Sequence, residues 1–254
     1  MKHFDAAELS RRLGAEFDVR AFSVCPSTNA ELLCEARRGA RAGTLFVAER
    51  QSEGRGRLGR SFFSPAESGV YFSLLLRPEA SADPTHLTAL SALCVADAAE
   101  SLGCPDCRIK WVNDVYADGK KCCGILTQGI YTNETLTAAV VGIGANLFPP
   151  KEGFPEEFAS RAGAFFRAER KKMREQFVFE VVSRLFARQN ATPSDILDEY
   201  RQRSCVLGRR VEVLQNGVSF FAEALEIDAD LRLVVRTERG DVLRLNSEEV
   251  RLVL

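Results

Sequence analysis

The sequence predicts a chain of helices and strands in two parts, a large domain over residues 1–203 and a small SH3-type β-barrel over 204–254. Three observations carry this expectation. Apolar runs of strand length are interspersed with helical patterns as far as residue 203. From Arg209 the pattern changes to short alternating strands punctuated by turn residues. The 254 residues, 46% hydrophobic and 27% charged, suffice for a full core with a small appendage.

In chain order, AAELSRRLGAEF reads as a short opening helix and FDVRAFSVC (17–25) as a strand entering Pro26. Thr28-Asn29-Ala30-Glu31 has the S/T-x-x-E form of a capping box, ahead of a helix that should stop at Gly39. TLFVAERQ is the next strand and leads into GRGRLGR (54–60). GVYFSLLLR (69–77) is continuously apolar, as a buried central strand is, and Pro78 ends it. Residues 84–102 begin with proline and repeat small and apolar residues at helical spacing, which predicts a long packed helix. RIKWV and KKCCGILTQGIY are expected to form a hairpin through Asp118-Gly119, and LTAAVVGIGANLF a buried strand ending in a glycine-rich turn. Over 169–189, Phe177, Val181, Val182 and Leu185 recur at helical intervals, and PSDILDEYRQR gives another helix after Pro193. VEVLQNG, VSFFAEALEID, LRLVVRTERGD and VLRLNSEEVRLV supply the barrel strands. Asn216-Gly217 is the strongest hairpin signal among them, and Arg239-Gly240-Asp241 reads as a plain turn.

Charge and cysteine usage narrow the function. Lys plus Arg (34) nearly balances Asp plus Glu (35), so no broad basic surface exists to steer a polyanion, and any basic site must be local. The N-terminus has no uninterrupted apolar core of a secretion signal, and no segment approaches the roughly 20 apolar residues of a membrane span. The expectation is a cytoplasmic protein whose eight cysteines are reduced thiols. Cys104 and Cys107, with Cys122 and Cys123 further on, raise a zinc reading. Cys122 and Cys123 are neighbours in a strand-like run and should point to opposite faces, so only one could join a common tetrahedron, and no metal site is expected. His3 and His86 stand alone.

The stretch GRGRLGR holds three glycines and three arginines between two strands. Glycine lets backbone approach a ligand closely, and guanidinium groups match carboxylate and phosphate oxygens, so this loop suits closure over a small anion. Ser27-Thr28-Asn29 offers hydroxyls and an amide at a helix start. Lys110-Trp111-Val112-Asn113-Asp114 gathers a cation, the single tryptophan, an amide and a carboxylate at a strand end, with Lys121 seven residues beyond Asp114.

STN, then AERQSEGRGRLGRSFFSP with YFSLLLRP, then KWVNDVY followed by KKCCGIL, and finally GIGANL resemble, in this order and at these intervals, the biotin protein ligase family (biotin-[acetyl-CoA-carboxylase] ligases). The likeness spans residues 27–148, and the 204–254 barrel fits the family's C-terminal domain. It implies an α+β catalytic domain with a mixed sheet, akin to class II aminoacyl-tRNA synthetases and lipoate ligases. It implies that biotin and Mg²⁺-ATP are joined to biotinyl-5'-AMP, and that biotin then passes to one lysine of a biotin carboxyl carrier protein. Carried over by motif, Ser27, Thr28, Asn29 and Gln51 bind biotin. Gly54, Arg55, Gly56 and Arg57 form the closing loop, and Arg60 is a further loop arginine. Lys121 sits beside the biotin carboxylate and α-phosphate, Gly124 is a further biotin-binding residue, and Asn113, Asp114 and Asn146 lie on the nucleotide side. Arg55, Arg57 and Lys121 are the catalytic candidates.

Three departures accompany the resemblance. Val112 stands where members usually have proline, and Phe62 where tryptophan is common. Only about 16 residues precede the first strand, too few for a helix-turn-helix domain, so a ligase without operator binding is expected. No nucleic-acid or membrane partner is expected, and monomer and homodimer stay open. The alternatives are a lipoate or octanoate ligase on the same fold and a non-catalytic RNA-binding module built on the Arg/Gly loop.

Overall fold

The computed structural model describes residues 4–78, 83–215, 217–246 and 250–253. His3 and Asn216 lie outside the described residues. Helix α1 (Ala6–Leu13) starts where the Asp5 carboxylate accepts from the Glu8 N–H at 2.9 Å, and ends at Gly14 with φ 96°. β1 (Asp18–Cys25) and β2 (Thr44–Gln51) pair in parallel, joined through α2 (Thr28–Arg37). β3 (Gly69–Leu76) is buried along its whole length, and α3 (Pro84–Ser101) follows as expected.

The hairpin closed by Asp118-Gly119 is not the expected one. RIKWV yields only the short β4 (Arg108–Lys110), and residues 111–113 turn the chain into β5 (Asp114–Ala117). It is β5 that pairs across Asp118-Gly119 with β6 (Lys120–Thr132). β7 (Thr135–Asn146) also differs from expectation. Gly142 and Gly144 lie inside the strand, paired with Leu126 and Gly124, rather than in a terminal turn. α4 (Glu156–Ala159) was not foreseen; α5 (Met173–Arg188) and α6 (Pro193–Arg203) were.

These strands form one mixed seven-stranded sheet in the order β1-β2-β3-β7-β6-β5-β4. Strand alternation sends Val70, Phe72, Leu74 and Leu76 of β3 to the face covered by α1, α3 and α5. Leu75, with Ala138 and Val140 of β7, goes to the face covered by α2. One helix covers only part of that second face. The remainder, floored by glycines, is where the cleft opens.

The chain then makes β8 (Arg210–Gln215), β9 (Val218–Ile227), β10 (Leu233–Thr237), β11 (Val242–Leu245) and β12 (Val250–Val253). VLRLNSEEVRLV therefore contributes two strands, not one. The five form an antiparallel sheet in the order β11-β10-β9-β8-β12. Its inward residues, among them Val211, Val213, Ala222, Val235 and Leu245, belong to the same core as the large sheet. Arg239-Gly240-Asp241 is a turn, with the Thr237 N–H donating to the Asp241 carbonyl at 2.9 Å. No described helix is long and apolar enough to cross a membrane.

Candidate active site

The start of α2 shows why its polar residues face inward. The N-cap is Ser27, not Thr28 as the capping-box spacing suggests, and the Glu31 N–H donates to the Ser27 carbonyl at 3.0 Å. The displacement frees the Thr28 hydroxyl for Gln51 Oε1, which also accepts from the Thr28 N–H, at 3.1 and 2.9 Å. Beneath them Ser73 Oγ lies 2.8 Å from Thr28 Oγ1 and 2.7 Å from Asn29 Oδ1. The Asn29 amide donates to the Leu126 carbonyl and to Gln128 Oε1, each at 3.0 Å. Asn29 thus binds the floor of the site together, with both amide protons spent on protein acceptors. Gly142 makes this possible, because a Cβ there would stand 2.1 Å from Asn29 Oδ1.

The Arg/Gly stretch folds as a short hairpin. The Phe62 N–H donates to the Gly54 carbonyl at 2.8 Å, Arg55 bridges Ser61, and the Gly56 N–H donates to the Arg60 carbonyl at 2.7 Å. Its tip holds Leu58 at φ 56° and Gly59 at φ 72°. Arg55, 67% exposed, points outward beside Glu53, whereas Arg57 turns in and donates from Nη1 to Asn113 Oδ1 at 3.0 Å. Gln51 ties the hairpin to the floor, since its Nε2 donates to Ser64 Oγ at 3.3 Å and Ser64 Oγ donates to the Phe62 carbonyl at 2.9 Å. The Phe62 ring lies on the cross-strand pair Gly124 and Gly144. A Cβ on either would meet that ring, at 3.0 and 2.5 Å.

Lys121 reaches the same face through a bulge. The β5/β6 register shifts between Val115 and Tyr116, so Tyr116 pairs with Lys121 while Val115 pairs with Cys123. Cys122 and Cys123, at the shift, are both buried in the main core. Lys121 Nζ donates to Asp114 Oδ1 at 2.6 Å and stands 6.0 Å from the Phe62 centroid. Its backbone is clamped on both sides, donating to the Arg161 carbonyl and accepting from the Gly163 N–H, each at 2.8 Å. Asn113 Nδ2 donates to the Ile125 carbonyl and Asn146 Nδ2 to the Gly163 carbonyl, both at 3.1 Å. The peptide between Trp111 and Val112 is cis.

These elements surround a cleft of about 1030 Å³. Ser27, Thr28, Asn29, Gln51, Arg55, Gly56, Arg57, Arg60, Asn113, Asp114, Lys121, Gly124 and Asn146 all border it. Gly54 lies outside that border, packed under Ser64 and the Phe62 carbonyl where no Cβ would fit. Eight arginine and lysine side chains and three aspartates line the cleft, so a chain of net charge −1 concentrates positive potential at one place. Among the described residues no three His, Cys, Asp or Glu side chains converge as a metal site.

Residues 22–146 match the Biotin/lipoate A/B protein ligase family. The chain is 32% identical over 225 residues to the bifunctional ligase/repressor BirA of Bacillus spizizenii, covering 85% of this chain and 68% of that one. It is 31% identical over 234 residues to the biotin--[acetyl-CoA-carboxylase] ligase of Mycobacterium tuberculosis, covering 86% of each. The chain is a member of the biotin protein ligase family. A solved biotin protein ligase from Aquifex aeolicus in complex with biotin and ATP superposes with a TM-score of 0.76 at 26% identity, over 93% of this chain and 98% of that one.

Several residues in and beneath the cleft of this family member escaped the sequence reading. Ser73 looked like an ordinary residue of a buried strand, and only its register against α2 reveals its partners. Gly142 and Gly144 sat within GIGANL as turn glycines. Their i, i+2 spacing inside an apolar run was the available sign of one strand face kept bare. Arg108, Arg161 and Arg209 border the cleft from three separate segments with no motif to join them.

Proposed function

We propose that the cleft activates biotin with ATP and transfers it to a lysine of a biotin carboxyl carrier protein. Arg57 and Lys121, more than sixty residues apart in sequence, both reach the Asn113-Asp114 pair, and this convergence carries the reading. Biotin's ureido ring occupies the end lined by Ser27, Thr28 and Gln51, with Asn29 fixing its floor. Its aliphatic chain passes the Phe62 ring, and its carboxylate lies toward Lys121 and Arg57. ATP lies along Asn113, Asp114 and Asn146, with Arg55 and Arg60 closing over it from the hairpin.

In the first step a carboxylate oxygen attacks the α-phosphorus, the P–O bond to pyrophosphate breaks, and biotinyl-5'-AMP forms. Two anions must meet, and charge grows on the α-phosphate and the leaving pyrophosphate. Fixed cations offset this repulsion, more effectively once the hairpin excludes water. Lys121 is poised on Asp114 and can shift from that carboxylate to the substrate oxygens. In the second step the carrier's ε-amine attacks the acyl carbon, AMP leaves, and an amide bond forms. Hairpin closure between the steps protects the anhydride from hydrolysis.

The donor set fits Mg²⁺ delivered by the triphosphate, because Mg²⁺ is usually held by one or two carboxylates plus phosphate oxygens and water. Asp114 and Asn113 are the residues that would face it, and when bound it would neutralise phosphate charge. The reaction is assigned to the cytoplasm.

Incubating the protein with biotin, Mg²⁺-ATP and a carrier domain, then weighing the carrier, tests the reading. A gain of one biotinyl group is expected. Transfer of lipoate or octanoate in a parallel incubation, with none of biotin, would overturn it in favour of the lipoate-ligase alternative.

A further inference from the structure

Cys104 and Cys107 take no part in this chemistry, yet their arrangement differs from that of the other six thiols. The sequence Cys-Pro-Asp-Cys makes the tight connection from α3 to β4, with Gly103 at φ 99° and Asp106 at φ 47°. Both backbones are pinned. The Cys104 N–H donates to the Ala99 carbonyl and the Cys107 N–H to Glu100 Oε1, each at 2.9 Å, and Glu100 is itself held by Arg203 Nη1 at 2.8 Å. The two sulfurs are 3.7 Å apart, the Cys107 thiol donating to Cys104 Sγ.

We propose that Cys104 and Cys107 are a reversible redox dithiol, a modification site closed to a disulfide by a hydroperoxide and reopened by a small thiol, whose state is passed along β4 to the cleft. A disulfide needs the sulfurs at about 2.05 Å, so closure asks for a local movement of less than 2 Å within one turn. The hydrogen bond from Cys107 holds the Cys104 thiol below its ordinary pKa, whereas burial pushes Cys94 and Cys122 up to about 12. Cys104 is therefore the attacking sulfur and Cys107 the resolving one. Cys104 is 4% and Cys107 1% exposed beneath an exposed Pro105-Asp106 turn, which suits a small oxidant better than a protein one.

The steps balance. Cys104 Sγ as thiolate attacks a peroxide oxygen, the O–O bond breaks, and the departing oxygen leaves as water after taking a proton. Cys107 Sγ then attacks the sulfenic sulfur, the S–S bond forms, and a second water leaves. Two equivalents of a small thiol reverse the reaction and are oxidised to their own disulfide.

Transmission has a physical route. Pro105, Asp106 and Arg108 border the cleft, and β4 pairs Lys110 with Asp114, the partner of Lys121. Trp111, the only tryptophan, follows β4 directly and donates from Nε1 to the Leu231 carbonyl at 2.9 Å, so it reports on this strand. The effect on catalysis rests on the proposed ligase function, but the dithiol chemistry does not.

The test treats the full chain with hydrogen peroxide, blocks remaining thiols, and maps peptides by mass, in the wild type and in Cys104→Ser and Cys107→Ala. The expected result is a Cys104–Cys107 linkage reversed by dithiothreitol, a change in Trp111 emission that both variants lack, and a several-fold change in adenylate formation. Recovery of both residues as free thiols, at a dose that oxidises the exposed Cys34, would overturn the site. A linked protein with unchanged emission and unchanged adenylate formation would overturn the transmission. Failure of the reduced protein to biotinylate any carrier would strike the ligase reading and leave the mass result standing.

Discussion

Lys121 and Asp114 are 32% and 18% exposed, so their ion pair is partly screened and contributes little to stability, on the order of 0–1 kcal/mol. In the proposed reaction, what Lys121 offers is a charge beside the reacting oxygens. Lys121→Ala is expected to slow pyrophosphate release by about a hundredfold or more while leaving the melting temperature within a few degrees of wild type. An unchanged release rate would remove Lys121 from the mechanism. Gly142 is the opposite case, a residue with no functional atom whose bareness matters. A methyl there pushes Asn29 off Ser73, Leu126 and Gln128, at a cost of about 1–3 kcal/mol by overpacking. Gly142→Ala should therefore both lower the melting temperature and weaken biotin binding in a calorimetric titration. Lys121 was legible from its motif because charge is a local property of sequence. Gly142 was not, because what a missing Cβ makes room for comes from a helix more than a hundred residues away.

The hairpin over residues 54–62 is held by backbone bonds between its arms, while its tip carries Leu58 in the left-handed region. That conformation costs a non-glycine residue roughly 1–2 kcal/mol and is worse for a β-branched one. Leu58 is 59% exposed, so no buried contact repays the strain. Leu58→Gly is expected to retain the biotinyl adenylate at least as well as wild type, and Leu58→Val to release it faster, measured as free biotinyl-AMP after a single turnover. Equal retention by both would show that the tip's geometry does not govern closure. The Arg/Gly composition announced a loop able to approach an anion closely. It did not say that Arg57 turns in while Arg55 turns out, because side-chain direction depends on the pairing of Arg55 with Ser61. The β5/β6 bulge makes the same point in a strand. Period-two alternation does not foresee the one register shift, between Val115 and Tyr116, through which Lys121 comes to border the cleft.

At the scale of the molecule the two sheets share one core and are stitched together by named bonds. Trp111 Nε1 donates to the Leu231 carbonyl at 2.9 Å, the Cys205 N–H to the Ile109 carbonyl at 2.9 Å, and Arg201 Nε to the Ile227 carbonyl at 2.8 Å. We propose the 203/204 division as a boundary of architecture, with cooperative unfolding across it. Within the larger part, the Tyr200 hydroxyl donates to the Val112 carbonyl at 3.0 Å. Tyr200→Phe strands that buried carbonyl, costing about 1–3 kcal/mol, and should lower a single calorimetric transition by a few degrees without splitting it. One source of acid sensitivity near neutral pH is a histidine. His86 is buried with Nε2 lacking a hydrogen-bond partner among the described residues, and burial lowers its pKa against the opposing pull of Asp83, Asp195 and the Thr192 backbone. The unfolded chain then takes up a proton that the folded chain refuses. This contribution is present above a pH of about 6.5, the free imidazole value, and is lost as pH falls below it. His86→Asn should show a smaller drop in melting temperature between pH 7.5 and 5.5 than wild type, and an equal drop would remove His86 as the cause.

Taken alone, the sequence determined most of the helices and strands, the change of character near residue 209, and the chemical identity of the groups that border the cleft. These follow from periodicity, turn residues and charge, which are properties of neighbours along the chain. Tertiary structure decided the rest: which hairpin Asp118-Gly119 closes, which arginine faces inward, why Ser73, Gly142 and Gly144 matter, and how Lys121 meets Asp114. Some of those depend on a local register, the β5/β6 bulge and the pairing of Arg55 with Ser61, and the others on the register between strands distant in sequence. A shift of one residue in a strand would turn its side chains to the other face of the sheet.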